Sequence, residues 1–106
     1  MNPQPDSDVL ALRLAERAMT YLAADPHRYV PLFVDAIREL RLSNGPKAPY
    51  DAMERAAQEH WTALRDLLLS RGAEGDLLRS MAPLYAILPE ADRVELIRTL
   101  PRPGDY

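Results

Sequence analysis

The sequence predicts an all-α protein, a compact bundle of four to five short helices, some of them kinked at proline. No segment shows the two-residue alternation of apolar and polar positions that β-strands require. Ten prolines and four glycines instead divide the 106 residues at intervals that suit short helices. This length fits one domain. We expect the domain to span residues 7–100, between Pro-rich flexible tails at residues 1–6 and 101–106.

The first helix is predicted to begin at Ser7 or Asp8, either of which can cap it, and to end at Ala24 before Pro26. Its apolar side chains occupy two nearly opposite sides. The first side comprises Leu12, Ala15, Met19, Leu22 and Ala23, and the second comprises Leu10, Leu14, Ala18 and Tyr21. A helix that is apolar around most of its circumference needs two partners. The second side therefore contacts either another helix of the same domain or another chain, and the sequence leaves both alternatives open.

Pro26 opens a second helix, which we expect to end at Asn44 before Gly45. The apolar stripe of this segment continues across Pro31. That pattern indicates either one helix kinked at Pro31 or a short turn followed by a helix that starts there. Both alternatives bury the same face of the segment. The following residues, 44–50, are predicted to form a loop.

Asp51 and Glu54 resemble a capping box and introduce the third and longest predicted helix, which ends at Arg71 before Gly72. Its core face is predicted to comprise Met53, Ala57, His60, Leu64 and either Leu67 or Leu68. Trp61 falls at the edge of that face and Leu69 lies outside it. Both side chains are therefore candidates for contact with another molecule.

Two more helices are predicted in the C-terminal third of the chain. Asp76 caps the fourth helix, whose Pro83 is expected to point away from the core. Its inward stripe would comprise Leu77, Leu78, Met81, Leu84, Tyr85 and Leu88. Pro89 opens the last helix and Pro101 closes it. In this helix we expect Val94 and Ile97 to face inward, with Leu96 and Leu100 offset to one flank.

The composition excludes several classes of protein. The formal net charge of -3 and the pI near 5.3 oppose general binding to nucleic acid. Lys47 is the only lysine among 13 basic residues, a bias typical of a GC-rich bacterial or phage genome, or of a surface that uses arginine for bidentate pairing. The absence of cysteine excludes disulfides and thiolate ligands. With neither a leader nor a membrane-spanning apolar run in the sequence, we expect a cytoplasmic location.

The sequence offers little for catalysis or cofactor binding. Neither His27 nor His60 has a second metal ligand three or four residues further on. No serine lies in a nucleophile elbow, and no glycine pattern suits a phosphate loop. We therefore expect no enzymatic activity, no metal and no cofactor. His27 is expected to be exposed, and His60 to be partly buried with its ring hydrogen-bonded, or else to act as a pH-sensitive or interfacial group.

Elimination, together with the surplus of apolar helix surface, predicts a small non-catalytic module that binds another protein. It would act as an adaptor, an accessory subunit or a stoichiometric inhibitor, and its partner would be a different protein or a second copy in a homodimer. The predicted surface is rich in leucine, arginine and aromatic side chains, which are frequent in protein interfaces. It comprises Leu10, Arg13, Leu14, Arg17, Tyr21, Trp61 and Leu69.

Two other functions stay open at this stage. Residues 77–100 resemble a helix-turn-helix, although acidic residues in the first turn of its second helix would face phosphate. A regulator or antitoxin that binds DNA would need an arginine cluster in three dimensions, formed by Arg79, Arg93, Arg98 and Arg102. A small ligand-binding protein or enzyme would need a pocket with convergent polar groups, of which His60 and Tyr85 are the first candidates.

Overall fold

The computed structural model describes residues 5–99 and confirms the all-α class. Over these residues the chain forms six α-helices and one short 3-10 helix, and no strand. The α-helices are α1 (Pro5–Ala24), α2 (Pro26–Asn44), α3 (Ala48–Glu59), α4 (Trp61–Leu68), α5 (Ala73–Met81) and α6 (Glu90–Arg98), and the 3-10 helix (Leu84–Ala86) lies between α5 and α6. The count exceeds the predicted four to five because the third predicted helix is divided in two.

The first two helices form a hairpin whose ends lie close to their predicted positions. α1 begins at Pro5, a little before the predicted start, because proline is favourable at a first helical position. The carboxylate of Asp25 accepts a hydrogen bond from the amide of Arg28 at 3.3 Å and so caps α2. α2 continues through Pro31, so the prediction of a single helix is confirmed and the alternative of a short turn before Pro31 is wrong. Its end at Gly45 has φ +86°, a conformation that favours glycine.

The prediction of one long third helix is wrong, because the helix is interrupted at His60. α3 begins at Ala48, before the expected cap at Asp51, and ends at Glu59. His60 is extended, and its Nδ1 accepts a hydrogen bond from the amide of Thr62 at 3.2 Å, which caps α4. A side chain that bonds a nearby amide offers the backbone an alternative to the continuous helix. His60 is consequently exposed and does not face the core as predicted.

The fourth predicted helix also differs from its expected course. α5 ends at Met81 because proline disfavours the helical conformation at the preceding Ala82, which has φ -73° and ψ 133°. Pro83 is fully buried instead of pointing away from the core. The 3-10 helix that follows buries Leu84 but turns Tyr85 outward, and Tyr85 is 61% exposed. Leu77, the other end of the predicted inward stripe, is exposed as well.

The last helix, α6, is rotated about its axis relative to the prediction. Leu96 is its buried residue, whereas Val94 and Ile97, which were expected inside, are exposed. This orientation follows from Asp92, which is hydrogen-bonded to α1 and lies on the same side of the helix as Leu96 one turn later. Leu100 and the predicted closing residue Pro101 lie outside the described residues.

α1 is the central helix of the bundle. It packs against α2, α4, α5, α6 and the 3-10 helix, so both of its apolar sides contact other helices of the domain. The principal core residues are Ala15, Ala18, Met19, Leu22, Phe33, Ile37, Tyr50, Met53, Leu64, Leu68, Leu78, Leu84 and Ile87. Of the two alternatives for the second side of α1, contact with helices of the same domain is therefore the one observed. No helix over the described residues is both long and apolar enough to cross a membrane.

Candidate functional site

The second side of α1 carries the main polar contact between the two ends of the chain. The hydroxyl of Tyr21 donates a hydrogen bond to Oδ2 of Asp92 on α6 at 2.6 Å. Nη1 of Arg17 donates to the same oxygen at 3.2 Å, and Nη2 of Arg17 lies 3.7 Å from Glu95. The hydrogen bond from Tyr21, assisted by the one from Arg17, holds the pKa of Asp92 below its ordinary value, and the same bond raises the pKa of Tyr21.

The residues of the predicted interface are divided among several places. Arg17 and Tyr21 are engaged with α6, while Arg13 is exposed to solvent. Leu10 is half-buried, and Leu14 packs against the core and lines an open cleft. The predicted surface on α1 is therefore covered at its C-terminal half and accessible at its N-terminal half.

The other two residues of the predicted interface lie on α4 and at its end. Leu69 ends α4 and packs against the core. Trp61 is half-buried in the first turn of α4, where its ring lies 5.3 Å from the guanidinium carbon of Arg65 and 6.0 Å from the ring of His60. At this distance the guanidinium of Arg65 is attracted to the face of the indole. Trp61 lines a different depression from the one that Leu14 lines.

This depression, which we call the Trp61 groove, lies where the N-terminal turn of α2 meets the junction of α3 and α4. It has a volume of about 570 Å³. Its lining combines apolar side chains and two prolines with three uncharged or weakly basic polar groups: Pro26, His27, Val30, Pro31, Ala57, Gln58, His60 and Trp61. Both histidines of the chain therefore lie in one groove, although they are 33 positions apart in the sequence.

The polar groups that line the Trp61 groove are two imidazoles and one amide. Its lining contains no hydroxyl, thiol, carboxylate or lysine side chain that would act as a nucleophile or pair with a histidine in acid–base work. Nδ1 of His60 is engaged by the amide of Thr62 and by its hydroxyl at 2.7 Å, which leaves Nε2 for a ligand. Among residues 5–99 no three His, Asp or Glu side chains are grouped so that they could hold a metal ion.

A second depression, the Tyr85 cleft, was missed because the sequence places Tyr85 in the core. It lies between the N-terminal half of α1, the 3-10 helix and α6, and has a volume of about 190 Å³. Its lining residues are Ala11, Leu14, Arg79, Ala82, Leu84, Tyr85, Leu88 and Arg93. Pro83 was the available signal, because a proline inside a helical stripe changes the direction of the residues that follow it. Tyr85 is therefore not part of the Trp61 groove, and the pocket expected to join it with His60 does not form.

The arginines proposed as a nucleic-acid cluster have different environments. Arg79 is buried, and its Nη1 donates to the carbonyl oxygens of Leu68 at 2.9 Å and Ser70 at 2.6 Å. Its Nη2 lies 2.7 Å from the carboxylate of Asp76, so its charge is compensated. Arg93 and Arg98 are exposed on α6. Arg102 lies outside the described residues.

A further ion-pair network joins α2 to α3 and is structural. Nη2 of Arg41 lies 2.6 Å from Glu54 and 3.0 Å from Asp51, and Nε of Arg38 lies 3.1 Å from Glu54. The hydrogen bond from Arg41 is the main reason that the pKa of Glu54 is lowered. These three ion pairs neutralise the charges between the two helices, although Nε of Arg41 is buried without an acceptor among the described residues. The Trp61 groove and the Tyr85 cleft, by contrast, are lined mainly by apolar side chains.

Comparison of the chain with protein-family models, with curated proteins and with solved structures finds no significant match.

Proposed function

We propose that this protein is a small non-catalytic binding module, which holds a segment of a partner protein in the Trp61 groove. The observation that carries the proposal is the groove itself, which places the only tryptophan of the chain beside two prolines and no reactive side chain. Such a module acts as an adaptor, an accessory subunit or a stoichiometric inhibitor, because it changes the partner by occupying a surface.

The lining of the Trp61 groove has the properties of an interface anchor. Tryptophan is among the residues that contribute most to binding energy in protein interfaces. Arg65 stacks on the indole of Trp61, and the prolines have a fixed φ, so this part of the groove is partly preorganised for binding. The amide of Gln58 and the imidazole of His27 can donate to or accept from the backbone of an incoming segment.

The experiment is a selection of 12-residue peptides from a random display library on the purified protein. We expect a class of enriched peptides that binds the wild type and binds Trp61→Ala at least tenfold more weakly, the loss typical of an interface anchor. Leu42→Ala is the matched control, since Leu42 is 88% exposed near the end of α2 and does not line the groove. Circular dichroism melting confirms that each variant is folded. A selection that yields no peptide dependent on Trp61 would contradict the proposal.

Self-association is tested separately by light scattering over a concentration series. If the partner is a second copy of the chain, the mass approaches twice 12.0 kDa at high concentration, and Trp61→Ala returns it to the monomer value. Leu14→Glu is the comparison variant, because Leu14 belongs to the α1 surface predicted from the sequence. A dimer that only Leu14→Glu dissociates would assign self-association to α1 and not to the groove.

A second candidate function, the binding of a small molecule, is favoured by one observation. The Trp61 groove falls within the range of about 300–1,000 Å³ that ligand pockets occupy, and His60 lines it. Fragments that shift the indole NMR signal of Trp61 and compete with no peptide would support this candidate. Enriched peptides that displace such fragments would support protein binding.

A further inference from the structure

The Tyr85 cleft is the open end of the second side of α1. α6 covers this side at Arg17 and Tyr21, and the cover ends at Leu14, which lines the cleft. Tyr85 stands at the cleft with 61% of its surface exposed, although the aromatic body of a tyrosine is normally at least partly covered. The cleft is thus an apolar depression with an exposed aromatic residue, on a side of α1 that elsewhere is used for packing.

The charged residues that line the Tyr85 cleft are both arginines. Its lining contains two arginines, Arg79 and Arg93, and no carboxylate. Asp76 compensates the charge of Arg79, but Nε of Arg79 is buried without an acceptor among the described residues. Over the same residues no carboxylate lies within ion-pair distance of Arg93. Among the side chains that the structure describes, the cleft therefore has one unpaired positive charge at Arg93 and one donor without an acceptor at Nε of Arg79, which favours a negatively charged ligand.

The volume of the Tyr85 cleft favours a protein side chain over a small molecule as its ligand. At about 190 Å³ the cleft is smaller than the roughly 300 Å³ at which small-molecule pockets begin. It has room for one or two side chains, and Ala11, Ala82 and Leu88 make its walls apolar. An aliphatic side chain fills such a depression, and a carboxylate beside that side chain can reach the guanidinium of Arg93.

We infer that the Tyr85 cleft is a second docking surface, which takes an aliphatic side chain of a partner protein together with an adjacent aspartate or glutamate. Tyr85 covers the aliphatic side chain and Arg93 pairs with the carboxylate. This inference does not depend on the Trp61 groove, since the two sites share no lining residue.

The test uses a 12-residue random peptide library displayed on phage and selected on the full-length protein. Clones that bind Trp61→Ala but not Tyr85→Ala define the ligands of the cleft. We expect these clones to carry Asp or Glu close to Leu, Ile or Val. Fluorescence anisotropy with the synthetic peptides should show roughly tenfold weaker binding to Arg93→Glu, and less than twofold change for Arg98→Glu, a matched charge reversal on the same helix.

Charge exchange gives the decisive measurement. Replacing the essential acidic residue of a peptide by lysine should abolish binding to the wild type and restore it to Arg93→Glu. The inference is overturned by cleft ligands that lack a carboxylate, by equal effects of Arg93→Glu and Arg98→Glu, or by a selection that yields no clone dependent on Tyr85. It is also overturned if Tyr85→Ala converts a dimer to a monomer in light scattering, because the occupant would then be a second copy of the chain. Circular dichroism melting of every variant excludes loss of the fold as the cause.

Discussion

Gly75 in the first turn of α5 offers a test in which two physical effects predict opposite signs. The Gly75→Ala substitution should stabilise an ordinary helix by about 1 kcal/mol, because alanine has the higher helix propensity. Gly75 is buried, however, and a Cβ at this position would overlap the carbonyl oxygen of Ser70. It would also lie 2.6 Å from the carbonyl carbon of Ser70 and 2.8 Å from its hydroxyl oxygen.

The size of the effect follows from these distances. Carbon atoms pack at about 3.5 Å or more, so the backbone around Ser70 would have to move by roughly 1 Å. The movement is resisted, because the Ser70 carbonyl accepts a 2.6 Å hydrogen bond from the buried Arg79. Overpacking of this kind costs about 1–3 kcal/mol, and the lost hydrogen bond adds about 1 kcal/mol. After the gain in propensity, we expect a net loss of about 2 kcal/mol, which for a chain of this length lowers Tm by roughly 9 °C.

Thermal and urea denaturation of Gly75→Ala measure this loss. Ala91→Gly, at an exposed position of α6, is the control for propensity alone and should lose about 1 kcal/mol. Adding Ser70→Ala to Gly75→Ala should recover little, because the closest atom belongs to the backbone. An unchanged or higher Tm for Gly75→Ala would refute the close approach of α5 to the end of α4.

Substitutions at three more positions test other contacts. Arg79→Met should lower the free energy of unfolding by about 3 kcal/mol, because two main-chain carbonyls lose their buried donor; a loss below 1 kcal/mol in urea denaturation would argue against this role. His60→Ala should lower the free energy of unfolding by about 1 kcal/mol, because the amide of Thr62 loses its capping acceptor, and His60→Asn should restore most of that loss. Equal urea midpoints for the two variants would contradict the capping role of His60. Because the folded pKa of Asp92 is lowered, its contribution to stability is present above its unfolded pKa of about 3.9 and is lost as pH falls through the folded pKa. Tyr21→Phe removes the main cause of the lowered pKa of Asp92. The urea midpoint of this variant should therefore fall less than that of the wild type between about pH 5 and pH 2. Parallel curves of urea midpoint against pH for the two proteins would show that the hydrogen bond has no such effect.

Local chemistry explains which parts of the fold could be predicted from the sequence. The ends of α1 and α2 were predictable because Asp25, Pro26 and Gly45 act on their immediate neighbours. The break at His60 was not, because apolar periodicity continues on both sides of it while a single bond to Thr62 decides the backbone conformation.

The orientation of α6 and the lining of the Trp61 groove depend on residues that are distant in the sequence. The rotation of α6 is set by the hydrogen bond from Tyr21 to Asp92, which joins residues 71 positions apart. The apolar periodicity of α6 alone does not indicate that bond. The Trp61 groove likewise combines His27 with His60, and the sequence marked Trp61 as an edge residue without indicating what would lie beside it. Individual side chains of the candidate sites could therefore be predicted from the sequence, but which of them lie in the same site could not.

The closure of the bundle by α6 also has a consequence for synthesis of the chain. Arg17 leaves the ribosome 75 residues ahead of Asp92, an interval of about 4 to 15 s at the usual 5–20 residues per second. During this time the second side of α1, with Leu14 and Tyr21, has no intramolecular cover from the C-terminal end. The nascent chain therefore presents for several seconds an apolar surface that α6 partly covers in the finished protein.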